Sequence, residues 1–254
     1  MTAILDPLIQ ILLAVLTYAH DNLGLNWGWS IVVLTVVVRI VLIPLTWKQF
    51  KSMRALQAVQ PQMKELQEKH KDDRQLLNQK MMEFYKENKV NPFGSCLPLI
   101  LQMPVFFALF YMLQAESGVG GHFATDNQWL WMRDWGWAPS WVAKTIVEFD
   151  LPLLLLYVAS QFVSSLMMVP KDSAQRNMML AMPVAIGVIM YIGKWPAGLF
   201  IYWFTSNLWT IAQQLIITKV VPLPEPAAVV VSGGGSDGTR KKKKQNQPAK
   251  NRKR

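Results

Sequence analysis

Apolar residues arrive in five long blocks, with the charges collected between them. The blocks run from about Trp27 to Thr46, Phe93 to Leu113, Leu151 to Val169, Met178 to Gly193 and Ala197 to Ile217. A bilayer core about 30 Å thick takes roughly 20 apolar residues of helix, with about 17 to 25 as the working range. Water is absent from hydrocarbon, so backbone groups there must bond internally and the blocks are expected to be helices. The fourth block is the weakest, being short and holding Pro183 and Gly187; a thinned bilayer or an upright helix accommodates it. The pattern predicts an all-α integral membrane protein with five transmembrane helices.

The segments between the blocks complete this outline. Residues 1–24 contain an apolar stretch, Leu5 to Tyr18, too brief to cross and without a basic head. It reads as an amphipathic helix on the outer interface, with a retained short signal anchor as the alternative. Residues 47–91 read as a cytoplasmic helical hairpin turning near Lys71-Asp72-Asp73, where Asp72 or Asp73 can cap the second arm. Pro61 is expected to break or kink the first arm. Leu66, Leu76, Leu77, Met81, Phe84 and Tyr85 offer a thin apolar seam. The bland reading of residues 47–91 is an ordinary solvated loop, and the functional reading a mobile docking arm that meets incoming chains or a partner. Residues 25–219 form the membrane core, and 220–254 a tail whose prolines and Gly233–Gly235 argue against packing.

Charge sets the orientation. The chain carries 26 Lys and Arg against 16 Asp and Glu, a net +10. Ten basic residues lie in the first loop, from Lys48 to Lys89, and the tail ends in Arg240 to Lys244 and Lys250 to Arg254. Positive loops stay in the cytoplasm. The amino terminus is therefore expected outside and the carboxyl terminus inside. Trp129, Trp131, Trp135, Trp137 and Trp141 fall on the outer side, where indoles prefer the interface. Lys241, Lys242, Lys243 and Lys244 seek anions, with ribosomal RNA and anionic lipid headgroups both within reach. No aromatics interleave them, which argues against reading of RNA sequence.

The polar residues inside the blocks carry the functional argument. Arg39 lies near the middle of the first block, about 13 Å along the helix from Lys48. An arginine at mid-bilayer costs roughly 2.5 to 17 kcal/mol depending on the reference state. No block contains an acidic residue to pair with it. Water, amide and hydroxyl oxygens, or a guest must satisfy the charge. Thr35, Arg39 and Thr46 share a face by helical spacing, as do Ser95 and Gln102 on the second block. Gln161, Ser164 and Ser165 cluster on the third, and Ser206, Asn207, Thr210, Gln213 and Gln214, next to Trp203, on the fifth. A single polar stripe is usually glue between helices. Four stripes together with an arginine that no block can pair favour a shared wet cavity. Methionines in the blocks suit either varied apolar guests or ordinary core filling.

Several chemistries are missing. There is no phosphate-binding loop and no H-E-x-x-H motif, and Gly193-Lys194 is followed by Trp195. His20, His70 and His122 are dispersed, and Cys96 is the one cysteine. Nothing supports nucleotide hydrolysis, covalent catalysis or a metal site, so no enzymatic activity and no cofactor are expected.

Val38-Arg39-Ile40 leads into Pro44-Leu45-Thr46; Lys89 to Gly94 is followed by Leu97-Pro98 and Gln102-Met103-Pro104. Met182-Pro183, Pro196 to Trp203 and Ser206-Asn207-Leu208 complete a set spaced over four blocks. These motifs resemble the YidC insertase family, of the YidC/Oxa/Alb superfamily, over about residues 25 to 219. The likeness is to a short five-span bacterial form without the extra amino-terminal span and external domain. It implies a plasma-membrane insertase with a hydrophilic groove open to the cytoplasm and to lipid. It implies that Arg39 attracts acidic residues of a substrate tail, and that Gln102 and Trp203 line the groove. Nascent membrane proteins, the ribosome through the basic tail, the Sec translocon and anionic lipids are the implied partners, with no small-molecule substrate. Two rivals stay open: a small-anion transporter using Arg39 as its binding residue, and a structural assembly scaffold. The absence of an internal repeat and of an intramembrane carboxylate speaks against the transporter.

Overall fold

The computed structural model describes residues 2–88, 90, 97–113, 123, 128–132, 142–168 and 176–220. Among these the chain forms helices and no strand: α1 (Thr2–Leu23), α2 (Trp27–Val41), α3 (Ile43–Ala58), α4 (Gln60–Lys69), α5 (Arg74–Glu87), α6 (Leu97–Leu113), α7 (Leu151–Met168), α8 (Arg176–Ile192) and α9 (Ala197–Val220). The tail beyond Val220 and the motif residues 91–96 lie outside the described residues.

Helix α9 is the centre of the packing, lying against α7, α2 and α6; α8 packs on α7, and α1 on α2 and α6. Ile9, Leu12, Leu16 and Ala19 are the buried stripe of α1, at the spacing that keeps residues on one helical face. Gly24, at φ +64°, makes the turn from α1 into α2, and Asn26 caps α2 by accepting the Trp29 N–H. The first N–H groups of α9 have no side-chain cap. Ala197 and Gly198 instead donate to the carbonyls of Glu148 and Ile146, each at 2.7 Å, which satisfies donors every helix start leaves free. Gly198 also leaves room for Leu113 and Ile31, whose methyl groups would meet an added Cβ at 2.8 and 3.2 Å.

The block expected as one helix from Trp27 to Thr46 is two. Helix α2 ends at Val41, and α3 departs from it at 66°. Pro44 explains the break. It has no N–H to give the Ile40 carbonyl, and its ring crowds that turn, yet it is well tolerated in the first turn of α3. No single described helix is long and apolar enough to cross a membrane, but the bent pair α2–α3 passes by length and composition. Helix α9 has 24 residues, about 36 Å at 1.5 Å each, so it falls short through its polar face and not its length. Helix α8 turns one side to α7 and leaves Met178, Met182, Val184, Val188, Ile189 and Ile192 exposed.

The hairpin forms from α4 and α5. Pro61 stands in the first turn of α4, just after the break from α3 at Val59. Asp73 caps α5, accepting the N–H groups of Gln75 and Leu76 at 3.0 Å. Leu66, Leu76, Leu77, Met81, Phe84 and Tyr85 are half-buried. The hairpin thus has a seam but no sealed core.

Candidate functional site

The bend places Arg39 in the last turn of α2. Its side chain is half-buried, and Tyr202 of α9 is within electrostatic reach. No described residue forms an ion pair with it. The helices α2, α3, α6, α7, α8 and α9 contain no Asp or Glu. The buried carboxylate of Asp150 is committed elsewhere: it accepts from the N–H groups of Leu153 at 2.8 Å and Ala143 at 3.0 Å, and from the Trp131 indole. Burial raises its carboxyl above the ordinary aspartate range, against the pull of those donors.

The polar groups of α9 divide into two faces. Tyr202, Ser206 and Gln213 follow one another at i, i+4 and i+11, so they share a face. Tyr202 receives a hydrogen bond from the Gln102 amide of α6. The Gln213 amide donates to Thr46 Oγ1 at 2.8 Å and accepts from the Trp209 indole at 3.2 Å. This face meets α3 and α6. The other face meets α7. There the Asn207 amide donates to Ser160 Oγ at 3.0 Å, and the Gln214 amide to the Met167 carbonyl at 2.9 Å. Most of the stripe therefore ties α9 to its neighbours, and Tyr202 is the member within electrostatic reach of the arginine.

Thr35 is fully buried and gives its hydroxyl to the Ile31 carbonyl at 2.7 Å. Gln161 is half-buried on α7, one turn beyond Tyr157. Ser206 and Asn207 are buried on α9. Trp203 is half-buried in a stack with Phe106 at 5.1 Å, Tyr157 at 5.4 Å and Trp195 at 5.9 Å between ring centroids. Gln102 and Arg39 both converge on Tyr202, whereas Gln161 makes no hydrogen bond with either. Lys241 to Lys244 lie outside the described residues. The sequence presents Tyr202 only as part of the Pro196 to Trp203 motif, and it does not single out Ser160. Tyr202 stands one turn before Ser206, a spacing that could have marked it; Ser160 carries no local signal, since its partner is 47 residues away. No cluster of potential metal ligands occurs among the described residues.

Chemically, the arrangement offers one cation, several amide and hydroxyl groups and an aromatic wall. It can attract a carboxylate and hydrogen-bond a peptide. It holds no nucleophile–base pair.

Residues 18–224 match the family model described as 60Kd inner membrane protein. A membrane protein insertase YidC from Fusobacterium nucleatum is 38% identical over 213 residues, covering 84% of this chain and 96% of that protein. A relative of the same name from Bordetella petrii is 39% identical over 221 residues, 86% of this chain. The chain spans only 36% of that relative's length. A crystal structure of an active YidC insertase with its first transmembrane domain resolved has a TM-score of 0.60 at 22% identity, covering 84% of this chain and 45% of that one.

Proposed function

The chain belongs to the YidC family of 60Kd inner membrane proteins, and from that membership we propose that it inserts membrane proteins through the site around Arg39. The family is not enzymatic. The single observation that carries the site is Arg39 itself, a guanidinium in the last turn before a helix bend, within electrostatic reach of the Tyr202 hydroxyl that the Gln102 amide bonds, and with no carboxylate partner among the described residues. A buried cation without a counter-charge is costly. A client tail with acidic residues would relieve that cost on entry.

In this reading five spans cross the membrane, with the amino terminus outside, the carboxyl terminus in the cytoplasm and α1 along the outer interface. Helices α2, α3, α6 and α9 bound a hydrophilic groove open to the cytoplasm and to lipid. The α4–α5 hairpin and the basic tail meet nascent chains, the ribosome, the Sec translocon and anionic lipids. A polar tail enters the groove, which shortens its path through hydrocarbon. The apolar segment then leaves sideways, and its burial in lipid drives the step. The exposed apolar face of α8 and the half-buried hairpin seam support this arrangement.

Photo-crosslinkers at Gln102 and Trp203, present while a short membrane protein is being synthesised, test the groove. Adducts to the nascent chain are expected. Adducts confined to lipid or to neighbouring helices would remove the groove from the mechanism.

A further inference from the structure

Gln49 is only 7% exposed, and its amide nitrogen is buried with no hydrogen-bond acceptor among the described residues. It shares one face of α3 with Thr46 and Phe50, all three buried, at the i, i+3, i+4 spacing of a helix face. Thr46 on that face is the partner of Gln213. The Gln49 amide therefore lies on the buried face of α3 that also carries Thr46, about 4.5 Å further along the helix from the bend. It stands between Arg39 and the hairpin, while the neighbouring Lys48 and Lys51 point outward and are exposed.

A buried N–H without an acceptor destabilises a fold, and an apolar side chain of similar size would remove the penalty. An orphan donor at this place suits an acceptor that arrives and departs. We propose that Gln49 is a second client-contacting group, donating to main-chain carbonyls of the segment that passes from the hairpin toward Arg39; this rests on the insertase reading. A peptide that is extended, or a helix with open ends, carries carbonyls with no internal donor, and in a low-dielectric site each is costly. Every client offers such carbonyls whatever its sequence. Gln49 thus serves all clients, whereas Arg39 selects those with acidic tails.

The test uses the full chain in proteoliposomes and two versions of one single-span client, its short tail either free of carboxylates or bearing three aspartates. Gln49→Leu is expected to lower insertion of both about fivefold, the scale of one hydrogen bond, with a thermal midpoint equal to or above that of the wild type. Gln49→Asn, which keeps the amide, should retain more insertion than Gln49→Leu, and Arg39→Ala should act mainly on the aspartate client. A photo-crosslinker at position 49 is expected to trap either client. Wild-type insertion by Gln49→Leu overturns the proposal, as does a lowered thermal midpoint, which marks Gln49 as a structural residue. Adducts from position 102 without adducts from position 49 overturn this inference alone, and silence at both positions overturns the insertase reading.

Discussion

The Gln213 amide donates to the Thr46 hydroxyl at 2.8 Å, across 167 residues of sequence. That bond ties α9 to α3 just after the 66° bend that follows Arg39. Thr46 also gives its own proton to the Leu42 and Ile43 carbonyls, each at 3.1 Å. The bend and the polar seam are thereby one hydrogen-bonded unit.

Thr46→Val removes the acceptor and leaves the Gln213 amide without its partner. Interhelical bonds in membrane proteins average about 0.6 kcal/mol and reach about 1.7. A double-mutant cycle of Thr46→Val and Gln213→Leu, read by thermal unfolding in nanodiscs, should give a coupling of about that size. Strict additivity would show the two side chains to be independent.

Gly28 packs under Trp129, and a Cβ there would fall 2.4 Å from the indole. That ring is held by Trp29 and Trp131, at 5.6 and 6.4 Å between centroids, so it has little room to retreat. Gly28→Ala should cost about 1–3 kcal/mol, the usual penalty of overpacking, and shift the tryptophan fluorescence. An unchanged spectrum and thermal midpoint would show that the contact yields freely.

The helices were largely legible because apolar run length speaks directly to span length. The expected blocks at 151–169, 178–193 and 197–217 meet α7, α8 and α9 within a few residues. The apolar pattern gives no sign of the break at Leu42, although Pro44 stands in the family motif. Proline in the first turn of a helix and proline within a longer helix look alike in sequence. The division of the α9 stripe was also invisible. Asn207 and Gln213 have the same chemistry, and only their partners, Ser160 and Thr46, show that one ties α9 to α7 and the other to α3. The stacking of Trp203 between Phe106 and Tyr157 likewise joins three helices; no local pattern encodes it.

Asp150 makes stability depend on pH. Burial raises its folded-state pKa above the ordinary aspartate value, so the folded chain binds the proton more tightly than the unfolded one. The stabilisation is full below the unfolded value and is lost as pH rises through the folded one. Asp150→Asn should flatten that decline in a pH series of thermal midpoints. Asp150→Ala should cost about 1–3 kcal/mol, because buried donors lose their acceptor. A wild-type midpoint that climbs through the same window would reverse the assignment.

Asp73 starts the second arm of the hairpin by accepting two backbone N–H groups. Asp73→Ala should weaken that helix start by about 1 kcal/mol. Hydrogen exchange should then quicken by roughly fivefold at the first turn of α5, with α9 unaffected. Equal protection in both proteins would mean that the seam alone holds the hairpin.

The most direct measurement concerns Arg39. Wild type, Arg39→Lys and Arg39→Ala are compared in proteoliposomes with two clients that differ only in the carboxylates of their tails. A hydrogen bond to a charged group contributes about 1.5–3 kcal/mol, so Arg39→Ala should slow the acidic-tailed client about tenfold or more and the neutral-tailed client far less. Arg39→Lys should restore the acidic client where charge suffices and fail where a two-pronged contact is required. Equal slowing of both clients by Arg39→Ala, or none of either, would contradict a guanidinium that receives the carboxylates of its clients.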